Sequence, residues 1–283
     1  MRAISSPQDM YLICSELIRN DQKIGLVPTM GALHQGHLEL VKRSLNENNK
    51  TVVSVFVNPL QFNKTEDLKN YPRTFEQDRD KLKRLGVDFL FHPTEEEFYG
   101  TTPTTYISFG NMEKVLEGAY RPGHFGGVGV VVAKFFHLIQ PTRAYFGLKD
   151  LQQYLLIKKM AQDLSFNIEI VGVKTVREES GLAMSSRNQR LSTEGLKTAA
   201  KIFKGLSMIE PSLRNDSNLE GIRNDILKFY ASVSGLELEY LEFVDGISLN
   251  RVNSTEGISE LAVCFAGYVE SVRLIDNLYL RLK

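Results

Sequence analysis

The stretch KIGLVPTMGALHQGHLELVKRSLNEN, residues 23–48, decides the fold. It opens on a short apolar run at 24–27, which is typical of a buried strand. From Gly36 onward the apolar residues follow helical spacing, and Leu38, Val41 and Leu45 share one face. A polar turn with two histidines therefore connects a strand directly to a helix, the unit from which α/β sheets are built.

The same alternation of strand-like and helix-like segments continues to about residue 175. Short runs rich in Val, Ile and Phe, with no polar alternation, indicate strands that are buried on both faces. They predict an α/β fold, a Rossmann-like doubly wound parallel sheet whose ligands bind at the carboxyl ends of its strands. Strands are predicted at 23–29, 51–59, 87–93, 104–109, 143–147 and 167–177, and helices at 36–48, 74–86, 129–141 and 150–164.

The C-terminal part of the chain has a different pattern. Two amphipathic helices, with Ser192 and Ser217 as candidate N-caps, precede three strand-like segments at 236–245, 260–270 and 272–282. In the first of these segments the apolar alternation shifts near Tyr240, which predicts a bulge. We therefore expect two domains, 1–178 and 179–283, of which the second is a smaller α+β domain.

Composition excludes several classes of function. Apolar residues make up 42% of the chain and charged residues 24%, a profile typical of a globular protein with a substantial core. Lys+Arg and Asp+Glu are both 34, so the chain lacks the basic excess that is typical of nucleic-acid-binding proteins. The two cysteines, Cys14 and Cys264, lie in apolar surroundings and are expected to be buried thiols. With no secretory pattern at the N-terminus and no membrane-length apolar run, we expect a cytoplasmic protein.

The turn PTMGALHQGH, residues 28–37, has the features of an anion site. A helix that begins near Gly36 offers N–H groups and the positive end of its dipole. His34 and His37 add imidazole donors, and Gly31 allows backbone to approach a ligand closely. The stretch is neither a P-loop nor a dinucleotide fingerprint. It predicts a cradle for nucleotide phosphates; the alternative is a turn that holds two ordinary polar histidines.

Two further polar motifs follow predicted strands. In VNPLQF, Asn58 and Gln61 are neutral hydrogen-bonding groups that suit a hydroxy acid or an amide better than a bare phosphate, unless they only form an Asn-Pro turn. In YFGLKDLQQ, 145–153, Lys149 could neutralise phosphate charge, and Asp150 could cap the helix or hold a ribose or Mg²⁺. The alternative for this second motif is a charged helix cap.

A hydroxyl-rich loop, GLAMSSRN at 181–188, lies between the two expected domains. Ser185, Ser186 and Arg187 supply two hydroxyls and a guanidinium fork, which suit a polyphosphate. A mobile loop here could close over a nucleotide. The alternative is an interdomain linker.

The remaining polar side chains are expected to be structural. His124 belongs to a glycine-rich turn and is assigned to packing; the alternative is that it reaches the ligand cleft together with Arg121. His92 is expected to be structural, and His137, on an otherwise apolar helix, is expected to be a satisfied core histidine. Asp78 and Asp80 lie on a polar helix, whose default is a solvated face. Neither zinc-ligand spacing nor a G-x-S-x-G nucleophile elbow is present in the sequence.

The set PTMGALHQGH, NPLQF, YPRT, RPGHF, FGLKDLQQ and VREESGLAMSSRN resembles the pantothenate synthetase (pantoate–β-alanine ligase) family, in the family's order and over nearly the whole chain. Its His-x-Gly-His turn is similar to that of nucleotidylyltransferases and class I aminoacyl-tRNA synthetases. The resemblance implies that pantoate attacks the α-phosphorus of Mg²⁺-bound ATP, giving pantoyl adenylate and pyrophosphate. The amine of β-alanine then gives pantothenate and AMP. It also implies a homodimer.

The resemblance also implies the site residues. Gln61 and Gln153 would bind pantoate, and Gln61 would also contact β-alanine. The metal ligands stay open, with Asp78 and Asp150 as candidates. Catalysis is assigned to His34, His37, Lys149, Ser185, Ser186 and Arg187. The ATP site would comprise Met30, Gly31, Ala32, Leu33, His34, Gln35, Gly36, His37, Gly147, Leu148, Lys149, Asp150, Val176, Met184, Ser185, Ser186 and Arg187.

Two expectations follow from the implied chemistry. The family's assignment of His37 as proton donor is unnecessary for a pyrophosphate that Mg²⁺ and Lys149 hold, so we expect His37 to act by hydrogen bonding to phosphates. The adenylate is a reactive mixed anhydride that must be kept from water. We therefore expect the second domain to act as a lid, and the loop at 181–187 to order when ATP binds.

Two other functions stay open. A nucleotidyltransferase that acts on a phosphorylated acceptor would share the His-x-Gly-His turn, although such an acceptor favours more Arg or Lys than NPLQF and KDLQQ provide. A non-enzymatic nucleotide-binding module is the second alternative. The presence of both histidines together with Lys149 and Arg187 disfavours it.

Overall fold

The computed structural model describes residues 1–63, 65–215 and 218–282 and divides into two compact units. The first unit comprises residues 1–148 and 153–174, and the second comprises residues 149–152 and the chain from 175 onward. The change between units at 174–175 lies a few residues before the expected boundary at 178. Among the described residues, no helix has the length and apolarity needed to cross a bilayer.

A six-stranded parallel sheet forms the centre of the first unit. The strands are β1 Arg2–Ile4, β2 Ile24–Thr29, β3 Lys50–Val55, β4 Phe89–Phe91, β5 Arg143–Gly147 and β6 Glu169–Val173. Their order is β1-β4-β3-β2-β5-β6. The chain moves outward from β2 in one direction and from β5 in the other, so the order reverses between these two strands. This switch point confirms the predicted doubly wound sheet.

Helices cover both faces of this sheet because successive strand residues point to opposite sides. The helices are α1 Pro7–Arg19, α2 Gln35–Glu47, α3 Thr65–Lys69, α4 Phe75–Leu85, α5 Glu95–Tyr99, α6 Glu117–Tyr120, α7 His124–Ile139 and α8 Leu151–Asp163. In β2, Leu26 joins the core beneath α1, α7 and α8, whereas Val27 joins the core beneath α2 and α4. The predicted C-cap of α4 is confirmed, since Gly86 has φ +84°.

Two predictions about the first unit are wrong. Residues 104–109 form no strand; instead Ile107 and Phe109 pack against α7, so their apolar character serves side-chain packing and not strand pairing. His137 is exposed, because the buried positions of α7 fall on either side of it in the helical repeat. His92 stacks on Phe75, with ring centroids 4.6 Å apart.

The second unit packs helices on an antiparallel sheet of three strands. The elements are α9 Thr193–Ser207, α10 Ile209–Asn215, α11 Leu219–Ala231, β7 Leu236–Asp245, β8 Glu260–Val269 and β9 Val272–Arg281. The strand order is β7-β8-β9, and the predicted bulge is confirmed by a register shift between Leu238 and Tyr240. Ser192 caps α9 as predicted, but Ser217 lies outside the described residues, and Asn218 caps α11.

Candidate active site

The turn after β2 is fixed by hydrogen bonds to the neighbouring strand. Thr29 Oγ1 donates to the carbonyl oxygen of Ser54 at 2.7 Å and accepts from the N–H of Gly31 at 3.2 Å. Gly31 has φ +85° and Ala32 has φ +50°. The left-handed region suits glycine and is costly for alanine, so Ala32 needs support from its surroundings.

That support comes from Asp78, which contradicts its expected place on a solvated face. The carboxylate is fully buried and accepts from the N–H groups of Ala32 and Leu33, both at 2.8 Å, and from Thr74 Oγ1 at 3.0 Å. The expectation failed because Asp78 lies one turn from the buried Leu82 and shares its helix face. Asp80 is exposed, as expected.

The two histidines of the turn form the start of α2. His34 is the N-cap residue, and its Nδ1 accepts from the N–H of Gly36 at 3.1 Å. His37 reaches back, and its Nδ1 accepts from the N–H of His34 at 3.3 Å. A ring nitrogen that accepts carries no proton, so each neutral ring has its proton on Nε2. The cap thus turns both imidazoles into Nε2–H donors at a helix N-terminus.

Gln61 follows β3 in a short 3-10 turn, Pro59–Gln61, and is held by a buried network. Asn58 donates through Nδ2 to Gln61 Oε1 and to the carbonyl oxygen of Gly127, both at 3.1 Å. Asn58 Oδ1 accepts from the hydroxyl of Tyr99 at 2.9 Å. Burial raises the pKa of Tyr99 well above its usual value, so this hydroxyl keeps its proton and donates.

Helix α7 supports the same turn from beneath. His124 is buried, as its assignment to packing predicts, and its Nδ1 donates to the carbonyl oxygen of Gln61 at 2.7 Å. Gly127 lies so close that a Cβ atom there would be 2.2 Å from the carbonyl oxygen of Leu60. Only glycine allows helix and turn to approach this closely.

The motifs after β2 and β3 meet directly. Nε2 of Gln61 lies 2.9 Å from Sδ of Met30, which belongs to the turn that leads into His34 and His37. The first unit therefore brings the predicted phosphate cradle and a predicted pantoate ligand together at the carboxyl edge of the sheet. Among the other predicted residues of this unit, Gly147, Leu148 and Gln153 are half-buried.

The predicted residues of the second unit fall in two segments. Lys149 is half-buried, Asp150 is exposed, and the carbonyl oxygen of Lys149 accepts from Asn277 Nδ2 at 2.9 Å. In the loop, the N–H of Met184 donates to the carbonyl oxygen of Val176 at 2.9 Å. The structure thus brings Val176 and the loop together.

Bonds at both ends brace this loop. Arg177, which pairs with Asp276 at 2.6 and 3.0 Å, donates through Nη1 to the carbonyl oxygen of Gly181 at 3.2 Å. Asn188 Nδ2 donates to the carbonyl oxygen of Ala183 at 3.1 Å. Between these ends, Ser185 Oγ accepts from the N–H of Arg187. The Arg187 side chain is exposed, and its Nη1 donates to the carbonyl oxygen of Arg273 at 3.3 Å. The loop thus carries a hydroxyl and a guanidinium, and the guanidinium is held against β9 with further N–H donors that could bind a phosphate.

Comparison with known proteins identifies the family. A family model described as pantoate-beta-alanine ligase matches residues 2–279. The pantothenate synthetase of Cytophaga hutchinsonii is 46% identical over 283 residues and covers 100% of both chains. The chain belongs to the pantoate–β-alanine ligase family.

Solved structures of the pantoate–β-alanine ligase family have the same fold. Pantothenate synthetase from Thermus thermophilus superposes with a TM-score of 0.90 at 43% identity, over 98% of this chain and 99% of that one. The ligase from Francisella tularensis, solved in complex with β-γ ATP and β-alanine, gives a TM-score of 0.79 at 37% identity over 98% and 97% of the two chains. The fold expected from the sequence is confirmed.

The two candidate metal ligands of this family member differ in their surroundings. Both oxygens of Asp78 already accept from backbone N–H groups, so its carboxylate does not suit Mg²⁺. Asp150 is exposed and could supply one oxygen ligand. Within the part of the chain that the structure describes, no three His, Cys, Asp or Glu side chains are grouped for a metal.

The sequence did not reveal a supporting role for Asp78, which it offered only as a solvated residue or a metal ligand, and it did not point to Tyr99 or Gly127. One signal was available for Asp78, because helical spacing places it with Phe75 and Leu82 on one face of α4. For Tyr99 and Gly127 the local pattern holds no signal, since their partners are about 40 or more positions away along the chain.

Proposed function

We propose that this protein joins pantoate to β-alanine in an ATP-dependent reaction that yields pantothenate, AMP and pyrophosphate. In the first step the carboxylate oxygen of pantoate attacks the α-phosphorus of ATP, and the bond to the leaving pyrophosphate breaks. In the second step the amine of β-alanine attacks the acyl carbon, AMP leaves with the electron pair of the acyl–oxygen bond, and the amine loses a proton. Membership of the pantoate–β-alanine ligase family supports the proposal.

The observation that carries the proposal is the contact between Gln61 and Met30. In this contact a neutral amide meets the turn that leads into the two imidazole donors at the start of α2, which supports the proposal. An amide binds the hydroxyls and carboxylate of pantoate without an ion pair that would weaken the nucleophile. A phosphorylated acceptor would instead need cations at this position, which disfavours the alternative nucleotidyltransferase.

Charge screening is the main demand of the first step, because an anion approaches a triphosphate. In our proposal His34 and His37 donate from Nε2 to phosphate oxygens, and the N–H groups at the start of α2 add to their effect. Lys149, Ser185, Ser186 and Arg187 are proposed to donate to the same nucleotide. The orientation of both rings by their own backbone supports the roles of the histidines.

Pantoate is proposed to bind to Gln61 and Gln153, and β-alanine to bind beside Gln61. The relative from Francisella tularensis, whose complex holds β-alanine, supports the second substrate. Mg²⁺ is proposed to arrive bound to the phosphates of ATP, because Mg²⁺ typically keeps its waters and takes few protein carboxylates. Asp150 is the side chain we propose to face it. A homodimer, a cytoplasmic location and a lid role for the second domain stay predictions.

Pyrophosphate release tests the proposed function directly. We expect the purified protein to release pyrophosphate from Mg-ATP when pantoate is present, and to form AMP and pantothenate in equal amounts once β-alanine is added. A phosphorylated acceptor in place of pantoate, and ATP alone, are the controls. Pyrophosphate release that needs the phosphorylated acceptor would favour the nucleotidyltransferase, and no release under any condition would favour a binding module.

A further inference from the structure

We propose that Asp78 and Lys81 are positioning residues that hold the turn at residues 31–33 in the conformation from which His34 and His37 reach ATP; this inference rests on the proposed function. Neither residue is assigned contact with a substrate. Both lie on α4, a helix that sequence patterning describes as polar and solvated. They act on a segment that precedes them by more than 40 positions.

The first of the two groups that hold this turn is the carboxylate of Asp78. Its two oxygens accept from consecutive N–H groups, Oδ2 from Ala32 and Oδ1 from Leu33, each at 2.8 Å. Thr74 Oγ1 donates to Oδ2 as well. A carboxylate that accepts several hydrogen bonds can remain buried, and the geometry uses both of its oxygens.

The second of these groups is the ammonium of Lys81, one helical turn further along α4. Its Nζ donates to the carbonyl oxygen of Leu33 at 2.6 Å. The N–H and the C=O of Leu33 are therefore both bonded to α4, the first through an acidic and the second through a basic side chain. Asp78 and Lys81 lie next to each other on the surface of α4. Their opposite charges match the N–H and the C=O of Leu33, respectively.

The turn needs this support because its conformation is unfavourable for its sequence. Ala32 has φ +50°, a left-handed conformation that is strained for alanine and persists only where the surrounding structure enforces it. Space is also limited, since a Cβ atom on Gly31 would lie 3.2 Å from Asp78 Oδ2. Leu33 is followed directly by His34, so a change in the turn moves the N-cap and both imidazoles.

If Asp78 served only the stability of the fold, its loss would lower stability without a specific effect on ATP. Asp88 provides the matched control for this alternative. Asp88 also accepts a backbone N–H, from Thr51 at 2.9 Å, and a lysine ammonium, from Lys50 at 2.9 Å. Thr51 lies at the amino end of β3, whereas the turn lies beyond the carboxyl end of β2. Asp88→Asn therefore removes a carboxylate of the same bonding type at the opposite edge of the sheet.

The experiment compares Asp78→Asn and Asp88→Asn with the unaltered protein. An asparagine offers one acceptor and turns its NH₂ toward an N–H, so it cannot serve both Ala32 and Leu33. We expect Asp78→Asn to lower kcat/KM for ATP by about 10- to 100-fold, because small displacements of positioned groups have effects of that size. The urea midpoint falls in both variants, but kcat/KM for ATP in Asp88→Asn stays within about twofold of the unaltered value.

Amide hydrogen exchange separates this inference from the proposed function. In Asp78→Asn we expect faster exchange in the peptide that spans residues 30–37, and no change there in Asp88→Asn. If the unaltered protein releases no pyrophosphate, the proposed function fails, and the exchange result alone decides whether Asp78 holds the turn. Unchanged exchange, or unchanged kcat/KM for ATP in an active enzyme, would overturn the inference.

Lys81→Met is the second variant and keeps the inference testable if Asp78→Asn does not fold. It retains the apolar stem and removes only the bond to Leu33. We expect kcat/KM for ATP to fall about threefold to tenfold, as for the loss of one hydrogen bond, together with faster exchange at 30–37. Unchanged values for both quantities in this variant would contradict the role of Lys81.

Discussion

At the scale of single residues, His34 and His37 combine two tasks. Each uses Nδ1 to accept a backbone N–H and so begins α2, and each is left with a proton on Nε2. Their ring centroids are 4.0 Å apart. A substitution that preserves the cap but removes the imidazole can therefore separate helix stability from phosphate binding.

His34→Asn is the substitution that makes this separation. Asparagine is a favoured N-cap residue, so the free energy of unfolding should stay within about 0.5 kcal/mol of the unaltered value. His34→Ala removes the cap as well and should lower it by about 1 kcal/mol. Both variants lose the Nε2–H donor, and we expect kcat/KM for ATP to fall in both. Urea denaturation and initial rates check this, and normal activity in His34→Asn would contradict the phosphate role.

His37→Gln tests whether His37 transfers a proton. Glutamine at the third helical position can reach back to the N-cap N–H as His37 does, and its NH₂ can still donate to phosphate. We expect the rate of pyrophosphate release to fall by less than about tenfold. A loss beyond about 1000-fold with normal ATP binding would instead indicate acid catalysis.

At the scale of elements, the packing of α7 on the turn Pro59–Gln61 positions Gln61. Gly127 and Gly129 both lie on the buried part of α7, but they face different neighbours. A Cβ on Gly127 would meet the carbonyl oxygen of Leu60 at 2.2 Å, whereas a Cβ on Gly129 would meet the side chains of Ile107 and Phe109 at 3.1 Å. The side chains near Gly129 can move by the few tenths of an ångström that an added Cβ requires. The hydrogen-bonded backbone near Gly127 cannot make the larger movement needed there.

Gly127→Ala should therefore displace Gln61. We expect a loss of about 1–3 kcal/mol in the free energy of unfolding and a larger fall in kcat/KM for pantoate than for ATP. Gly129→Ala is the control, with a smaller loss of stability and the same kcat/KM ratio for the two substrates as the unaltered protein. If Gly127→Ala lowered both values equally, the turn would not act through Gln61.

The loop at 181–187 is the second element with a testable role. Arg177 bonds to Gly181 at the start of the loop and Asn188 bonds to Ala183, while Arg187 is exposed. We expect Mg-ATP to slow cleavage after Arg187, because bound phosphates would engage the loop. Mg²⁺ alone and Mg-AMP serve as controls. Equal cleavage rates with and without Mg-ATP would argue against ordering of this loop.

At the scale of the whole molecule, both cysteines are buried, as expected, and neither forms a disulfide. Burial raises the pKa of the Cys14 thiol from 9.0 to about 12. Below pH 9 the thiol is protonated in the folded and unfolded states, so it adds no pH dependence. Above pH 9 the unfolded chain releases this proton while the folded chain keeps it. Stability therefore falls as the pH rises from about 9 to about 12.

Urea denaturation at several pH values checks this expectation. The contribution of Cys14 should approach a loss of about 1.4 kcal/mol per pH unit above about pH 9. Cys14→Ala should be less stable at neutral pH because it leaves a cavity, but its stability should fall less steeply between about pH 9 and about pH 10. The same slope in both proteins would show that Cys14 is not the group that titrates.

The sequence by itself determined those features that depend on neighbours along the chain. The strand–turn–helix unit at 23–48, the C-cap at Gly86 and the bulge near Tyr240 follow from local periodicity and backbone preference. The motifs that mark the candidate site could also be found locally. They carry their own donors and glycines and lie directly after strands.

The tertiary structure alone decided which side chains support those motifs. The sequence left Asp78 on a solvated face and His137 in the core, and the structure reverses both. Only the tertiary structure shows the close approach of Gly127 to Leu60. Burial of a side chain depends on which element packs against it. That contact joins residues dozens of positions apart, such as the 46 between Ala32 and Asp78, and local periodicity carries no information about such pairs.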